Sequence, residues 1–319
     1  MSSAVLADPA QGTIAFVFPG GGSQYVGMGR DVYERYPAAR RVFEEADATL
    51  AFSLSGLCFE GPEDELDDTL NAQPAGLTTG AALLAALRER VGDKLNPAFV
   101  AGHSTGEYTA LLAAGVLDFK SALRLVRQRG RLMKEAGQKQ PGTMAAVLGV
   151  DAASLQAICD EVGDVWLSND NAPGQIVLSG REPAIERALQ LAAQRGARRV
   201  IPLAVNIASH CPLMASAAES FATTVQELPL AKASVPIVAN VSASPLVEPV
   251  DLRLELVQHL TSLVRWVESV RYMIAHGVQT FLEIGPKRVL SGLIKRIDHS
   301  VRVLTIAGVT DIETLEVLR

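Results

Sequence analysis

Residues 97–114 read Pro97-Ala-Phe-Val-Ala101, then Gly102-His-Ser-Thr-Gly106, then Glu107-Tyr-Thr-Ala-Leu-Leu-Ala-Ala114. The first run is short and apolar and suits a buried strand; the last is rich in good helix formers. G-x-S-x-G between a strand and a helix is the setting of a nucleophile elbow, a sharp turn that lifts a serine hydroxyl clear of its neighbours. The flanking glycines permit such a turn. Ser104 is therefore the expected nucleophile, with the backbone N–H of Thr105 facing an incoming carbonyl oxygen.

Upstream, Thr13-Ile-Ala-Phe-Val-Phe18 is a β-rich run that ends at Pro19-Gly-Gly-Gly-Ser-Gln24, and residues 1–12, small and polar, predict a loose lead-in. Helical patterning follows from about 28 to 93, punctuated at Gly56 and Gly61-Pro62. This alternation predicts an α/β protein with a mostly parallel central sheet. Residues 139–208 break the rhythm. Strands are predicted at Gly142–Gly149, Val165–Ser168, Gln175–Leu178 and Arg198–Val205, with helices at Ala152–Val162 and Glu182–Arg195 and a loop at Asn169–Gly174. That β-α-β-β-α-β order is the ferredoxin-like split motif. It predicts a small inserted subdomain, 139–208, within a large domain made of 1–138 and 209–319. Pro236–Asn240 and Thr280–Ile284 are read as strands returning to the main sheet.

Bulk properties narrow the function. With 319 residues, 48% apolar and 20% charged, the chain can bury the core of a globular enzyme. A net charge of −6 argues against nucleic acid as the main partner. No apolar run nears the roughly 18 residues of a membrane helix, and the N-terminus lacks a basic n-region and an apolar h-region. Neither a membrane span nor a signal peptide is expected. Cys58, Cys159 and Cys211 are far apart and form no C-x-x-C pair, so they read as reduced thiols of a cytoplasmic protein. No metal and no bound cofactor are expected.

A serine hydroxyl needs a base within hydrogen-bond reach. His103 adjoins Ser104 but points elsewhere in an elbow and suits bracing the turn. His276 and His299 lie in polar settings, and His259 lies in an amphipathic helix. His210, in Ile207-Ala-Ser-His-Cys-Pro-Leu-Met214, follows the last strand of the predicted subdomain, where the chain re-enters the main domain at a cleft. It is the candidate base, with a buried structural histidine as the other reading. Arg129 is the second informative residue. On a helix of about 119–135 capped by Asp118, it falls in the middle of the apolar stripe of Ala122, Leu125, Val126, Leu132 and Met133. Arg124, Arg127, Arg131 and Lys134 fall on the opposite, solvated face. A guanidinium on the buried face needs an anion, either a core carboxylate or the carboxylate of a ligand. The Pro19–Gln24 turn matches neither a Walker A loop nor G-x-G-x-x-G; its glycines would let backbone N–H groups approach a ligand, Gly21 among them.

In combination these segments resemble the malonyl-CoA:acyl carrier protein transacylases, the acyltransferases of fatty acid and polyketide synthesis. The likeness spans about residues 13–307. It rests on Phe16-Val-Phe-Pro-Gly20 with Gly22-Ser-Gln24 and Gly27-Met28, the Gly102–Glu107 elbow, and Arg124-Leu-Val-x-x-Arg-Gly130 with Met133. Asn171-Ala-Pro-Gly-Gln175, Ser209-His-Cys211 with Leu213-Met214, and Glu283-Ile-Gly-Pro286 with Val289-Leu290 continue it. The resemblance implies an α/β-hydrolase-like core carrying a ferredoxin-like subdomain. It implies that Ser104 attacks an acyl-CoA thioester, that His210 is the general base, and that the N–H groups of Gly21 and Thr105 hold the oxyanion. Arg129 would grip the free carboxylate of the acyl group, and Ser209 and Asn171 would belong to the substrate site. A backbone carbonyl, not an acidic residue, would orient the histidine. Acyl-CoA, malonyl-CoA in particular, is the implied donor and the phosphopantetheine thiol of an acyl carrier protein the acceptor.

Carrier proteins are acidic, so Arg195, Arg198 and Arg199 or Lys287, Arg288, Lys295 and Arg296 are the candidate dock. The chain departs from the family pattern at Gly21 and His259, where Gln is common, at Thr105, where a bulky apolar residue is usual, and at Ser209, which fits malonyl enzymes and also accompanies α-methylated substrates. A related serine hydrolase that clears acyl groups from carrier proteins is the alternative; it would not need Arg129. A non-catalytic docking protein on the same fold is the third reading.

Overall fold

The computed structural model describes residues 13–92, 95–203 and 205–315. The expected lead-in 1–12 lies outside these residues, as does Ala204 of the predicted strand Arg198–Val205. Ten strands are present among the described residues: β1 (Thr13–Phe18), β2 (Phe99–Gly102), β3 (Thr143–Leu148), β4 (Val165–Ala172), β5 (Gln175–Gly180), β6 (Arg199–Pro202), β7 (Ile237–Val238), β8 (Pro245–Leu246), β9 (Val278–Ile284) and β10 (Arg302–Ile306).

Six of them form the central sheet in the order β10-β9-β1-β2-β7-β8. All its pairings are parallel except the edge pair β7–β8. Helices cover both faces, so β1 is apolar on both sides as parallel strands require. Phe16 and Phe18 point into a large core with Met28, Leu83, Tyr108 and Val126; the alternate residues Ala15 and Val17 point into a second core with Trp266, Val270 and Phe281.

The remaining four strands form a separate antiparallel sheet, β4-β5-β3-β6. Helices Ala152–Val162 and Glu182–Gln194 follow β3 and β5, giving the β-α-β-β-α-β order read from the sequence. They bury Leu155, Ile158, Ile185 and Leu191 against Val147, Ile176 and Leu178, a third core independent of the other two.

β4 differs from its expected bounds. The predicted loop Asn169–Gly174 shrinks to a tight turn at Pro173-Gly174, where Gly174 adopts φ 69°. Asn169 to Ala172 continue the strand through two register shifts against β5. Polar residues argued for a loop, but the bulged strand has a second partner. The N–H of Asp170 donates to the Val264 carbonyl, and the N–H of Val264 donates to the Ser168 carbonyl, each over 2.9 Å. The small sheet is thereby stitched to the main body beside the helix Trp266–Ala275.

Candidate active site

β2 delivers the chain to Ser104, which turns with φ 50°, and the helix Gly106–Ala113 leaves it. The turn is possible only with glycine at its two flanks. A Cβ at Gly102 would stand 2.0 Å from the Gly106 carbonyl carbon, and one at Gly106 would stand 2.1 Å from the Phe18 carbonyl oxygen. A left-handed serine is strained, and here the strain presents its hydroxyl to a base.

The candidate base is His210, itself at φ 59° and only 3% exposed. Ser104 Oγ lies 2.8 Å from His210 Nε2, and His210 Nδ1 lies 2.8 Å from the main-chain carbonyl of His259 at the end of the helix Pro249–Gln258. A carbonyl can only accept, so Nδ1 carries the proton and Nε2 is free to accept from the Ser104 hydroxyl. Burial pushes the His210 pKa well below its ordinary value, and the neighbouring His259 and Arg129 push it the same way. The ring is therefore neutral, as a general base must be.

Arg129 sits on the helix Phe119–Lys139, whose first turn is capped by the Asp118 side chain as predicted. Its guanidinium is 1% exposed and meets no carboxylate as an ion pair among the described residues. Nη1 donates to Gln73 Oε1 over 2.9 Å, while Nε and Nη2 have no hydrogen-bond partner. The Tyr108 ring lies 5.7 Å from Cζ. Of the two readings of this arginine, the intramolecular ion pair is absent. Two unpaired nitrogens, carrying three N–H bonds and buried on one guanidinium, are costly to leave that way. On the opposite face Arg127 departs from the expected solvated role: its Nη1 donates to the Leu70 carbonyl and to Asn71 Oδ1, because the neighbouring helix start offers acceptors within reach.

The other expected site residues are placed as follows. Gly21 is exposed on its loop, and a Cβ there would meet nothing within 4 Å. The loop lies against the elbow through Gly20, whose Cβ would stand 2.3 Å from the His103 carbonyl oxygen. Gln24 accepts from the Gly22 N–H and donates to Asp67, pinning the same loop. Thr105 is the N-cap of the elbow helix, so its N–H belongs to the turn that has no intrahelical acceptor. Ser209 is half-buried beside His210. Asn171 Oδ1 lies 2.6 Å from His103 Nε2, so it reaches the elbow by bracing His103. His103 also packs edge-on against Trp266.

Among the candidate basic residues, Arg195 pairs with Glu161 and Arg288 with Asp311. Lys287 reaches the Gly22 carbonyl at 3.5 Å, and Arg296 donates to Gln175 Oε1 across to the small sheet. Lys287 thus touches the loop that lies against the elbow, and Arg296 touches the small antiparallel sheet.

Four buried residues escaped the sequence reading: Gln73, Glu107, Asn240 and Glu255. Glu107 is a lone carboxyl in an otherwise apolar helix, and Asn240 is a lone amide closing the apolar run Pro236–Ala239; each is a signal that was available. Glu107 Oε1 accepts from the Asn240 N–H at 3.2 Å, and Glu255 Oε1 from the Val241 N–H at 2.9 Å. Burial raises the pKa of both carboxyls, and the charge of Glu107 raises that of Glu255 further. His259, fully buried and held neutral by burial, packs against His210 with centroids 4.9 Å apart and ring planes tilted by 32°. Its Nδ1 lies 3.0 Å from Glu107 but without hydrogen-bond alignment.

Comparison with known proteins places this geometry in a family. The acyl transferase domain family matches residues 15–317. The malonyl CoA-acyl carrier protein transacylase of Bacillus subtilis is 48% identical over 307 residues, covering 95% of each chain. The solved malonyl CoA-acyl carrier protein transacylase of Coxiella burnetii superposes with a TM-score of 0.92 at 37% identity, covering 95% of this chain and 96% of that one. A malonyl-transacylase solved in complex with a type II polyketide synthase acyl-carrier protein has a TM-score of 0.92 at 40% identity, covering 95% of this chain and 98% of that one. The chain therefore belongs to the acyl transferase family and is a relative of its malonyl CoA-acyl carrier protein transacylases.

Proposed function

We propose that this protein transfers a malonyl group from malonyl-CoA to the phosphopantetheine thiol of an acyl carrier protein of fatty acid or polyketide synthesis. The observation that carries this reading is Arg129: a buried guanidinium with two unpaired nitrogens, Nε and Nη2, near enough to a hydrogen-bonded Ser–His dyad for its charge to depress the His210 pKa. A planar fork of that kind matches a carboxylate bidentately.

In the first half-reaction the Ser104 hydroxyl attacks the thioester carbonyl while His210 Nε2 takes its proton. The N–H groups of Thr105 and Gly21 hold the oxyanion. Collapse breaks the C–S bond, and the leaving CoA sulfur takes the proton back from His210. In the second, the carrier thiol gives its proton to His210 and attacks the malonyl ester, and Ser104 oxygen leaves with that proton. Neither step uses water. The imidazolium formed in each is held by the His259 carbonyl in place of an acidic third residue. Ser209 and the His103–Asn171 pair line this site.

The chain is further read as an α/β-hydrolase-like core, 1–138 and 209–319, with an inserted ferredoxin-like subdomain, 139–208. The strand order β4-β5-β3-β6 supports the second description. Three buried, unpaired cysteines suit the reducing cytoplasm.

Intact-protein mass spectrometry after brief mixing with malonyl-, methylmalonyl- and acetyl-CoA, followed by a chase with phosphopantetheinylated carrier protein, tests the proposal. A malonyl adduct that moves to the carrier is expected. An adduct that decays to free acid in the presence of carrier would replace the transferase by the hydrolase.

A further inference from the structure

We propose that Asn240 is a positioning residue for the nucleophile: its side-chain amide closes the strained turn at Ser104 and thereby sets the Ser104–His210 geometry. The inference rests on the reading of Ser104 as nucleophile.

Asn240 stands at the end of β7, the neighbour of β2 in the sheet, and is 2% exposed. Its Oδ1 accepts from the Ser104 N–H over 2.9 Å, and its Nδ2 donates to the Gly102 carbonyl over 2.7 Å. A main-chain N–H can only donate and a carbonyl can only accept, so the orientation of the amide is fixed. The two bonds continue the β2–β7 ladder past the point where the elbow leaves the strand direction. They satisfy two backbone groups that the turn at φ 50° would otherwise leave buried and unpaired.

The backbone of Asn240 is itself fixed. Its N–H donates to Glu107, which lies one turn beyond the elbow, and its carbonyl accepts from the Arg265 N–H. The next N–H, of Val241, donates to Glu255 on the helix that ends at His259. The carbonyl of His259 orients His210. One turn, 240–241, thus fixes both the serine and the element that aims its base. No contact to a substrate is needed for this role. A displacement of about 1 Å at reacting atoms costs on the order of 10²-fold in rate.

The test is single-turnover acylation of Ser104 by malonyl-CoA, followed by rapid quench and intact mass, with rates normalised to folded protein. Asn240→Leu removes both bonds at similar volume. It is expected to lower the acylation rate constant on the order of 10²-fold, with the malonyl-CoA concentration giving half-maximal rate shifted less than about twofold. Asn240→Asp keeps the acceptor for Ser104, and its carboxyl donates to Gly102 only while protonated. Its rate relative to wild type is therefore expected to fall as pH rises. The other titratable groups facing this turn are Glu107 and Glu255, with His259 and His210 beyond them, and all are common to both proteins, so the ratio reports position 240.

Asn240→Leu acylating within about twofold of wild type, or losing only malonyl-CoA affinity, overturns the proposal. If that variant does not fold, a pH-independent ratio for Asn240→Asp overturns it instead. A wild type that forms no adduct at Ser104 refutes the nucleophile reading, a distinct failure.

Discussion

The dyad and the guanidinium lie within electrostatic reach of each other and are built in opposite ways. Ser104 and His210 have every hydrogen-bonding group that the chemistry uses already paired, from the His259 carbonyl through both imidazole nitrogens to the hydroxyl. Arg129 has one hydrogen-bond acceptor, the neutral Gln73, and two nitrogens, Nε and Nη2, with none. His210 and Arg129 are both buried, so solvent does not account for the difference. A catalytic base must be aimed before substrate arrives, and the protein supplies all its fixtures. A recognition group for a carboxylate must be left unfinished, because a protein carboxylate there would occupy the place of the ligand's. On the proposed function, the completed dyad would serve any thioester and the unfinished arginine would select among them.

The largest effect belongs to the completed half. Ser104→Ala is expected to abolish the covalent acyl-enzyme for every acyl-CoA tried, read as absence of the mass adduct; a persisting adduct would mean another nucleophile. Next is the unfinished half. Arg129→Ala removes a buried charge partner worth about 3–5 kcal/mol, so malonyl kcat/KM should fall roughly 10²- to 10⁴-fold while acetyl transfer is spared or improved. Gln73→Leu withdraws a single acceptor from the same guanidinium. A hydrogen bond to a charged group contributes about 1.5–3 kcal/mol, so a loss of at least about tenfold confined to carboxylated acyl groups is expected in the same assay. Equal losses on acetyl would show that Gln73 supports the fold rather than the selection.

The smallest effects are in pH. His210 is depressed below the ordinary imidazole value, so acylation should hold constant as pH falls through the neutral range and decline only below about 6.5. Buried neutral histidines bind fewer protons than their unfolded counterparts, so their contribution to stability is present above the unfolded pKa and lost as pH falls. The raised carboxyls act in the other direction: Glu107 and Glu255 keep protons that the unfolded chain releases, and stability is lost as pH rises through their folded values. Glu255→Gln keeps an acceptor for Val241 and should flatten the alkaline side of a Tm-against-pH curve; an unchanged alkaline slope would place the loss elsewhere.

Much of this was legible in the residues. β1 and the helix Ala152–Val162 match their expected bounds, and the inward direction of Arg129 followed from its place on the stripe, because periodicity reports burial directly. His210 was found because a serine nucleophile needs a base and the chain re-enters the main sheet there. β4 was cut short because Asn169, Asp170 and Asn171 are turn formers by local preference, while the bonds that hold them extended come from Val264, almost a hundred residues on. Asn240, Gln73, Glu107 and Glu255 went unread for the same reason. Each earns its place through a partner remote in the chain, and no local pattern encodes that partner. Local preference also misplaced Arg127, whose acceptors belong to another helix.

On the proposed function, the unpaired guanidinium of Arg129 is what distinguishes one acyl group from another. The most direct measurement is a two-by-two cycle of single-turnover acylation: malonyl-CoA and acetyl-CoA against wild type and Arg129→Ala. A coupling of at least about 3 kcal/mol between the substrate carboxylate and the guanidinium is expected, visible as a malonyl preference that disappears or reverses in the variant. Parallel losses for both thioesters, with a coupling near zero, would contradict it.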